Sequence, residues 1–286
     1  MLLTIKQFKN IFITAFILFA ILAFATPTTT VAVEKKLTAS QWYEQGNQFL
    51  NSKHYDEAVA AYTETVNLNP KNADAYNRRG LIYKMRGQYE LAIADFSKTI
   101  ELVPTNSNVY YNKGDSYFLN KQYELAVADF SKAIELTPKF SLAYIRRGLS
   151  YYDIVTQAYF KSTERNVPLT DIMTEAQRLS YYDLIIADLS KAIEIKPDFI
   201  YPYTVRGNAY SDKGQYDLAL ADFDKVIELD KTYAQAYYFK GLMFDGLKKK
   251  QKAVDNYKKF LQYARPDDIS IDMVKKSIKK LEQELN

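Results

Sequence analysis

From residue 39 onward the apolar residues of this chain recur at steps of three and four. Tyr123, Ala126, Val127, Phe130, Ala133 and Ile134 make one such run; Tyr110, Gly114 and Tyr117, with the stem of Lys113, make the run before it. That period lays an apolar stripe along an α-helix. Only a short link precedes Tyr123, so the two runs predict an antiparallel helix pair. Pro138 stops the second helix. An acid follows the residue that opens the second helix in most copies of the pattern (Asp56, Glu90, Glu124, Asp183, Asp217), where it suits the positive end of the helix dipole.

The pairs repeat. GLIYKMRGQYELAIADFSKTIELVP, from Gly80, aligns without gaps on GDSYFLNKQYELAVADFSKAIELTP, from Gly114, at an offset of 34 residues. Gly46, Gly80, Gly114 and Gly148 each stand 34 apart; Gly207 follows after one period with 25 residues inserted, and Gly241 lies 34 further on. Such a period marks stacked supersecondary units. Six are present, at residues 39–72, 73–106, 107–140, 141–199 (with the insertion), 200–233 and 234–266, and residues 267–286 follow them.

The third unit holds Tyr110, Gly114, Tyr117, Tyr123, Ala126, Phe130, Ala133 and Pro138 at positions 4, 8, 11, 17, 20, 24, 27 and 32. In these residues, and in their counterparts over 39–266, the chain resembles the tetratricopeptide repeat (TPR) family. The resemblance implies an all-α fold, a right-handed α-solenoid of about six antiparallel helix pairs closed by a C-terminal capping helix. Gly at position 8 and Ala at 20 let the paired helices approach, and aromatic residues fill the space around them. Three departures stand out: Ile185 at position 20 of unit four predicts a splayed or shifted pair, Lys231 replaces the proline of unit five and leaves the break to Asp230 and its turn, and Lys250 replaces the position-17 tyrosine of unit six.

The insertion, residues 152–181, reads as a lengthened hairpin with Ser162–Asn166 and Pro168 at its tip and Thr170 as the cap of its returning helix. Ile154, Val155, Tyr159, Phe160, Ile172 and Met173 either pair across it or offer a private contact to a partner. In the last segment Ile271, Val274, Ile278, Leu281 and Leu285 form a narrow stripe, with Lys275, Lys276, Lys279 and Lys280 largely opposite. This is the polar-backed cap a solenoid requires; an amphipathic membrane helix is the alternative.

At the other end, Lys6 and Lys9 precede the uncharged run IFITAFILFAILAFA of residues 11–25, which closes on Ala23-Phe24-Ala25. Basic flank, short apolar run and small-x-small site read as a secretory signal peptide over residues 1–25, the alternative being a retained membrane anchor. Residues 26–38 read as a flexible spacer. The expected location is exported, periplasmic or extracellular, with residues 11–25 as the sole membrane attachment where the signal is kept.

Composition narrows the chemistry. With no Cys and a single His, His54, no disulfide framework, cysteine-zinc site or multi-histidine site can form. The formal charge of +4 falls to +2 without residues 1–25, too balanced to call for nucleic acid. Sixteen of the 25 tyrosines occupy positions 4, 11, 17 or 24 of a unit, so they read as packing. No phosphate loop, nucleophile elbow or zinc-protease motif occurs, and the carboxylates recur with the repeat, read as lying on outer helix faces. The expectation is a protein that is no enzyme and takes no cofactor or metal.

In TPR proteins the first helix of each unit lines a concave binding face. That resemblance assigns partner binding here to Asn77, Arg78, Tyr111, Asn112, Arg146, Thr204 and Asn208. Asparagine bonds a peptide backbone with donor and acceptor, arginine grips carboxylate, and tyrosine adds area at low entropy cost. The implied partner is an extended or helical segment of another protein, acidic segments being well suited to the arginines. The chaperone-type carboxylate clamp is not matched: Asn112 and Arg146 fit it, while Asn77, Leu81 and Leu142 do not. The implied role is a scaffold or assembly factor; a membrane-tethered adaptor or a regulatory subunit for a partner enzyme is the alternative.

Overall fold

The computed structural model describes residues 36–285. The expected signal peptide and most of the spacer lie outside the described residues. Within them the chain forms thirteen α-helices and one 3-10 turn, with no strand. They are α1 Ala39–Asn51, α2 Tyr55–Leu68, α3 Ala73–Met85, α4 Tyr89–Leu102, α5 Ser107–Leu119, α6 Tyr123–Leu136, α7 Ser141–Arg165, α8 Glu175–Ile195, α9 Ile200–Asp212, α10 Tyr216–Leu229, α11 Ala234–Gly246, α12 Lys250–Tyr263 and α13 Ile271–Leu285. The first twelve pack as six consecutive pairs, each also against the next, which makes an all-α solenoid of helix pairs.

Local chemistry sets the breaks. In five pairs the link between helices is three residues, and its middle residue has a left-handed backbone: Lys53 (φ 61°), Gly87 (73°), Lys121 (59°), Gly214 (75°) and Lys248 (58°). This turn reverses the chain within hydrogen-bonding reach; the Gln122 N–H, for example, donates to the Tyr117 carbonyl at 2.9 Å. Between pairs, Asn72 and Asn106 cap α3 and α5 through their side chains. At the unit lacking proline, the Asp230 carboxylate accepts the Thr232 N–H (2.8 Å) and hydroxyl (2.7 Å), an Asx turn that breaks the chain as proline does elsewhere. These bonds lower the Asp230 pKa.

Within a pair, the position-8 glycine lies on the ring at position 24. A Cβ at Gly80, Gly114 or Gly207 would stand 3.0 Å from the ring of Phe96, Phe130 or Phe223, all fully buried. Unit four is looser. Leu189 stands where the ring is elsewhere, Ile185 is buried at the alanine position, and a Cβ at Gly148 would meet nothing nearer than 3.5 Å.

The expectation that acids lie on outer faces is corrected at one second-helix position in each of units two to five. Asp95, Asp129, Asp188 and Asp222 are buried, at 4–8% exposure. Each faces a cation from the first helix of its own unit. Arg79, Arg147 and Arg206 grip Asp95, Asp188 and Asp222 with two bonds each, at 2.6–2.9 Å, and Lys113 lies 3.2 Å from Asp129. The same arginines donate back to the preceding unit, at Thr63 (2.9 Å), Ser131 (2.9 Å) and Ser190 (2.8 Å). Burial raises the Asp129, Asp188 and Asp222 pKa values, and the paired cation offsets part of the rise.

The insertion lengthens both helices of unit four, α7 to 25 residues and α8 to 21, against 13 and 14 in the other units. Twelve extra residues carry α7 about 18 Å beyond its neighbours at 1.5 Å per residue. The cap of α8 is Thr174, not Thr170, which lies in the 3-10 turn Leu169–Asp171. The reason is reciprocity: Gln177 completes a capping box with Thr174, while the residue three beyond Thr170 is the apolar Met173. Of the six apolar candidates, Ile154, Val155 and Met173 are buried within the hairpin and Ile172 packs against them. Tyr159 and Phe160 face outward, at 43% and 71% exposure. The Tyr152 hydroxyl ties the hairpin base to Asp212 of unit five at 2.8 Å.

At the C-terminal end, Val274, Ile278 and Leu281 of α13 are buried with Val254, Tyr257 and Phe260 of α12. The apolar stripe of α13 therefore faces protein, not lipid.

Candidate functional site

Among the first helices, α3 touches α5, α5 touches α7, and α9 touches α11, with no comparable contact between successive second helices. The row of first helices is thus the inner, more crowded side of the curve. Its exposed residues are mixed. Leu81, Met85, Leu119, Leu142, Tyr201 and Leu242 supply apolar surface at 37–56% exposure.

A polar junction crosses units two to four on this row. Lys84 Nζ donates to Asn112 Oδ1 (3.1 Å) and to Asp115 Oδ2 (3.0 Å). Arg146 Nε lies 3.1 Å from Asp115 Oδ1, but off the line of a hydrogen bond. The Arg146 guanidinium stands 5.2 Å over the Phe118 ring. Asp115, only 6% exposed, thus sits between cations from the units on either side. The junction thus sets two cations against its one buried carboxylate.

The predicted residues divide in their placement. Asn112 and Arg146 belong to this junction. Tyr111 is beside it, its ring 5.7 Å from Phe130 and 5.0 Å from Phe140. Burial raises the Tyr111 pKa and the Arg146 guanidinium offsets part of the rise, so the hydroxyl stays protonated at neutral pH. Arg78 is partly engaged, its Nε donating to the Tyr43 hydroxyl of unit one at 2.9 Å. Burial pushes the neighbouring Tyr62 pKa up to about 12, with Arg78 opposing. Asn77 Oδ1 is buried without a hydrogen-bond donor. Asn208 lies apart, in a cavity of about 210 Å³ between units five and six that Phe223, Phe239 and Leu242 also line.

Thr204 is corrected. It is 7% exposed, and its hydroxyl turns back to the Ile200 carbonyl at 3.4 Å, so it packs the helix instead of facing a partner. Phe118, Met85 and Leu119 were missed. The spacing signal existed, since Met85 and Leu119 both occupy position 13 of their units, but apolar residues on a first helix read as core.

Sequence models of the tetratricopeptide repeat match residues 73–106, 107–140, 200–233 and 234–267, and a TPR repeat model matches 46–87. Residues 141–199, which hold the insertion, lie outside these spans. Among solved structures, MamA is similar at a TM-score of 0.57 and 25% identity, over 69% of this chain and 94% of that one. YrrB gives 0.59 and 21%, over 77% and 100% of the two chains. MamA 41-end from Desulfovibrio magneticus RS-1 gives 0.55 and 22%, over 68% and 96%. Among curated proteins none matches this chain.

Proposed function

The chain belongs to the tetratricopeptide repeat family, and from that premise we propose that it is a non-catalytic scaffold or assembly factor that holds a segment of a partner protein along its inner row of first helices. The observation that carries this reading is the junction of units two to four. There Lys84 and Arg146 outnumber Asp115, which gives an acidic group of a partner two cations to meet. Exposed Leu81, Met85 and Leu119 beside it offer apolar contact. An acidic segment with interspersed apolar side chains fits this mixture. YrrB, which shares the fold, is described as a TPR protein with an unusual peptide-binding site.

The working place of the protein, in this reading, is outside the cytoplasm, carried there by residues 1–25. Among the described residues no helix is long and apolar enough to cross a membrane; in a form that keeps its signal, residues 11–25 would supply the tether.

Photo-crosslinking in the exporting cell tests the reading. A crosslinkable residue at Leu81, Leu119 or Leu242 on the inner row is compared with one at Leu91, Leu125 or Leu218 on the second helices. All six leucines are at least 37% exposed, so the substitutions leave packing intact. A single partner captured from the inner positions alone is the expected result. Capture only from the outer positions would overturn the inner-row assignment.

A further inference from the structure

We propose that the C-terminal end of the solenoid is a docking surface for an anionic membrane, apart from the inner row and beyond the partner-binding reading. Charge is divided unevenly along the chain. Residues 38–245 hold 23 Lys and Arg against 27 Asp and Glu, while residues 246–286 hold 11 against 6. The long body is net negative and the short end is net positive. The fold gathers that excess in one place, because α12 and α13 pack on each other as the last two layers.

Most acids at this end are already engaged. Glu284 Oε2 lies 3.2 Å from Lys250, Glu282 lies 2.7 Å from Lys258, and Asp267 stands 3.8 Å from Arg265. Asp268 accepts the Ser270 N–H at 2.9 Å, and Asp255 accepts from Gln251 at 2.9 Å. Asp272 sits in the first turn of α13, at the positive end of the helix dipole. Five exposed lysines, Lys252 and Lys259 on α12 and Lys275, Lys276 and Lys279 on α13, have no carboxylate within ion-pair distance among the described residues.

The orientation of α13 follows from its buried stripe. Val274, Ile278 and Leu281 are held against α12, so Lys275, Lys276, Lys279 and Lys280, at steps of one and four, share the solvent side. Met273, 48% exposed, lies on α13 next to Lys280 around the helix, and Ile269, 96% exposed, stands in the turn just before the helix. Lysines alone would serve any polyanion. An isoleucine and a methionine standing beside them gain from the boundary between headgroups and acyl chains, and an anionic leaflet attracts the lysines to it. The membrane-facing side is therefore the charged side of α13, opposite the stripe that a free amphipathic helix would insert.

Thr38–Asn286 forms a compact unit with its own hydrophobic cores, so it is tested without the apolar N-terminus. It is sedimented with vesicles of phosphatidylcholine alone or with one third phosphatidylglycerol, at ~0.1 M and ~0.5 M salt. Anionic vesicles should bind at least about tenfold more strongly than neutral ones, and the excess should vanish at high salt. The variant Lys275→Gln, Lys276→Gln, Lys279→Gln, Lys280→Gln should lose at least about tenfold, with an unchanged melting profile since all four side chains are exposed. Ile269→Ser with Met273→Ser should also weaken binding. Equal binding to both vesicles, or an unaffected lysine variant, would overturn the proposal. Unchanged binding by the serine variant, or a DNA duplex bound as strongly as anionic vesicles at the same salt, would reassign the patch to polyanions in general and overturn the membrane assignment.

Discussion

Replacing the position-8 glycine by alanine should have opposite signs in unit four and in its neighbours. Alanine is preferred over glycine in a helix interior by about 1 kcal/mol. At Gly148 the new methyl would lie 3.5 Å from Leu189 Cγ, 3.6 Å from Asp188 Cβ and 3.7 Å from the Ile185 carbonyl, ordinary contact distances. Nothing has to move, so Gly148→Ala should stabilise by about 1 kcal/mol, the propensity term largely kept. At Gly114 the methyl would lie 3.0 Å from two atoms of the Phe130 ring and 3.2 Å from Asp129 Cβ. Phe130 is fully buried and cannot swing aside. Overpacking of this kind costs about 1–3 kcal/mol, so Gly114→Ala should be neutral to about 2 kcal/mol destabilising after the propensity gain. Gly241→Ala should be worse, because its methyl would overlap the edge of the Tyr257 ring, well inside van der Waals contact. Urea unfolding followed by circular dichroism measures the change. Hydrogen exchange of α5, α7 and α11 localises it, since repeat arrays need not unfold as one unit. A Gly148→Ala variant as destabilised as Gly114→Ala would refute the looser packing assigned to unit four.

Three further outcomes are expected. Asp188→Ala should cost about 2–3 kcal/mol in urea unfolding, below the range for a fully buried pair because the Arg147 side chain keeps 21% exposure and its bond to Ser131; Arg147→Met with Asp188→Leu should recover most of it. Asp129, Asp188 and Asp222 have pKa values raised by folding, so they bind protons more readily folded than unfolded; their contribution is greatest at low pH and falls as pH rises from the unfolded value of about 3.9 through the folded one. Acidification from about pH 7 to about pH 5 should therefore leave the melting temperature level or higher through these groups, and a steep loss traced to them by asparagine substitution would contradict the burial assigned. Phe160→Ser at the hairpin tip should change stability by less than about 0.5 kcal/mol while Val155→Ala costs about 1–2 kcal/mol, both read by thermal melting.

The repeat was legible because its signals are periodic and redundant. Gly114, Ala126 and Phe130 each mark the same helix contact, so any two suffice to place the pair. The links were less legible. A left-handed residue is signalled by glycine, and Gly87 and Gly214 supply it, but Lys53, Lys121 and Lys248 adopt the same backbone with no such mark. The buried carboxylates were misplaced for a related reason. Asp95 and its counterparts each stand between an alanine and the core Phe or Leu, but nothing local marks a partner: the cations they face are 16 residues away in the regular units and 41 away across the insertion. The candidate site was legible in its row but not in its engagement. Position identifies Asn112, Arg146 and Thr204 as first-helix residues; only the structure separates the two in the junction from the one folded back on its own carbonyl.

The buried cations explain how irregular units remain part of one array. The rule in units two to five is a cation on the first helix facing an Asp on the second. Unit six breaks it, since Asn256 stands where that Asp should be. The compensation comes from the unit before. Where Thr63, Ser131 and Ser190 accept the second bond in earlier layers, unit five has Asp224, and Lys240 pairs with it. Each half-buried cation thus keeps one carboxylate, though the carboxylate has moved to the neighbouring unit. Unit one lacks both members, with Gln45 and Ala61 at the two positions, and so leaves no charge unmatched. A cation removed from water without a partner would be strongly destabilising, whereas losing both partners is tolerated. The pairs and back-bonds that cross from one unit to the next couple each layer to its neighbour. They act beside the apolar contacts, and they persist through unit four, where Arg147 reaches Ser131 of unit three and Asp188 beyond the insertion. The inserted hairpin is therefore carried by the ladder without interrupting it.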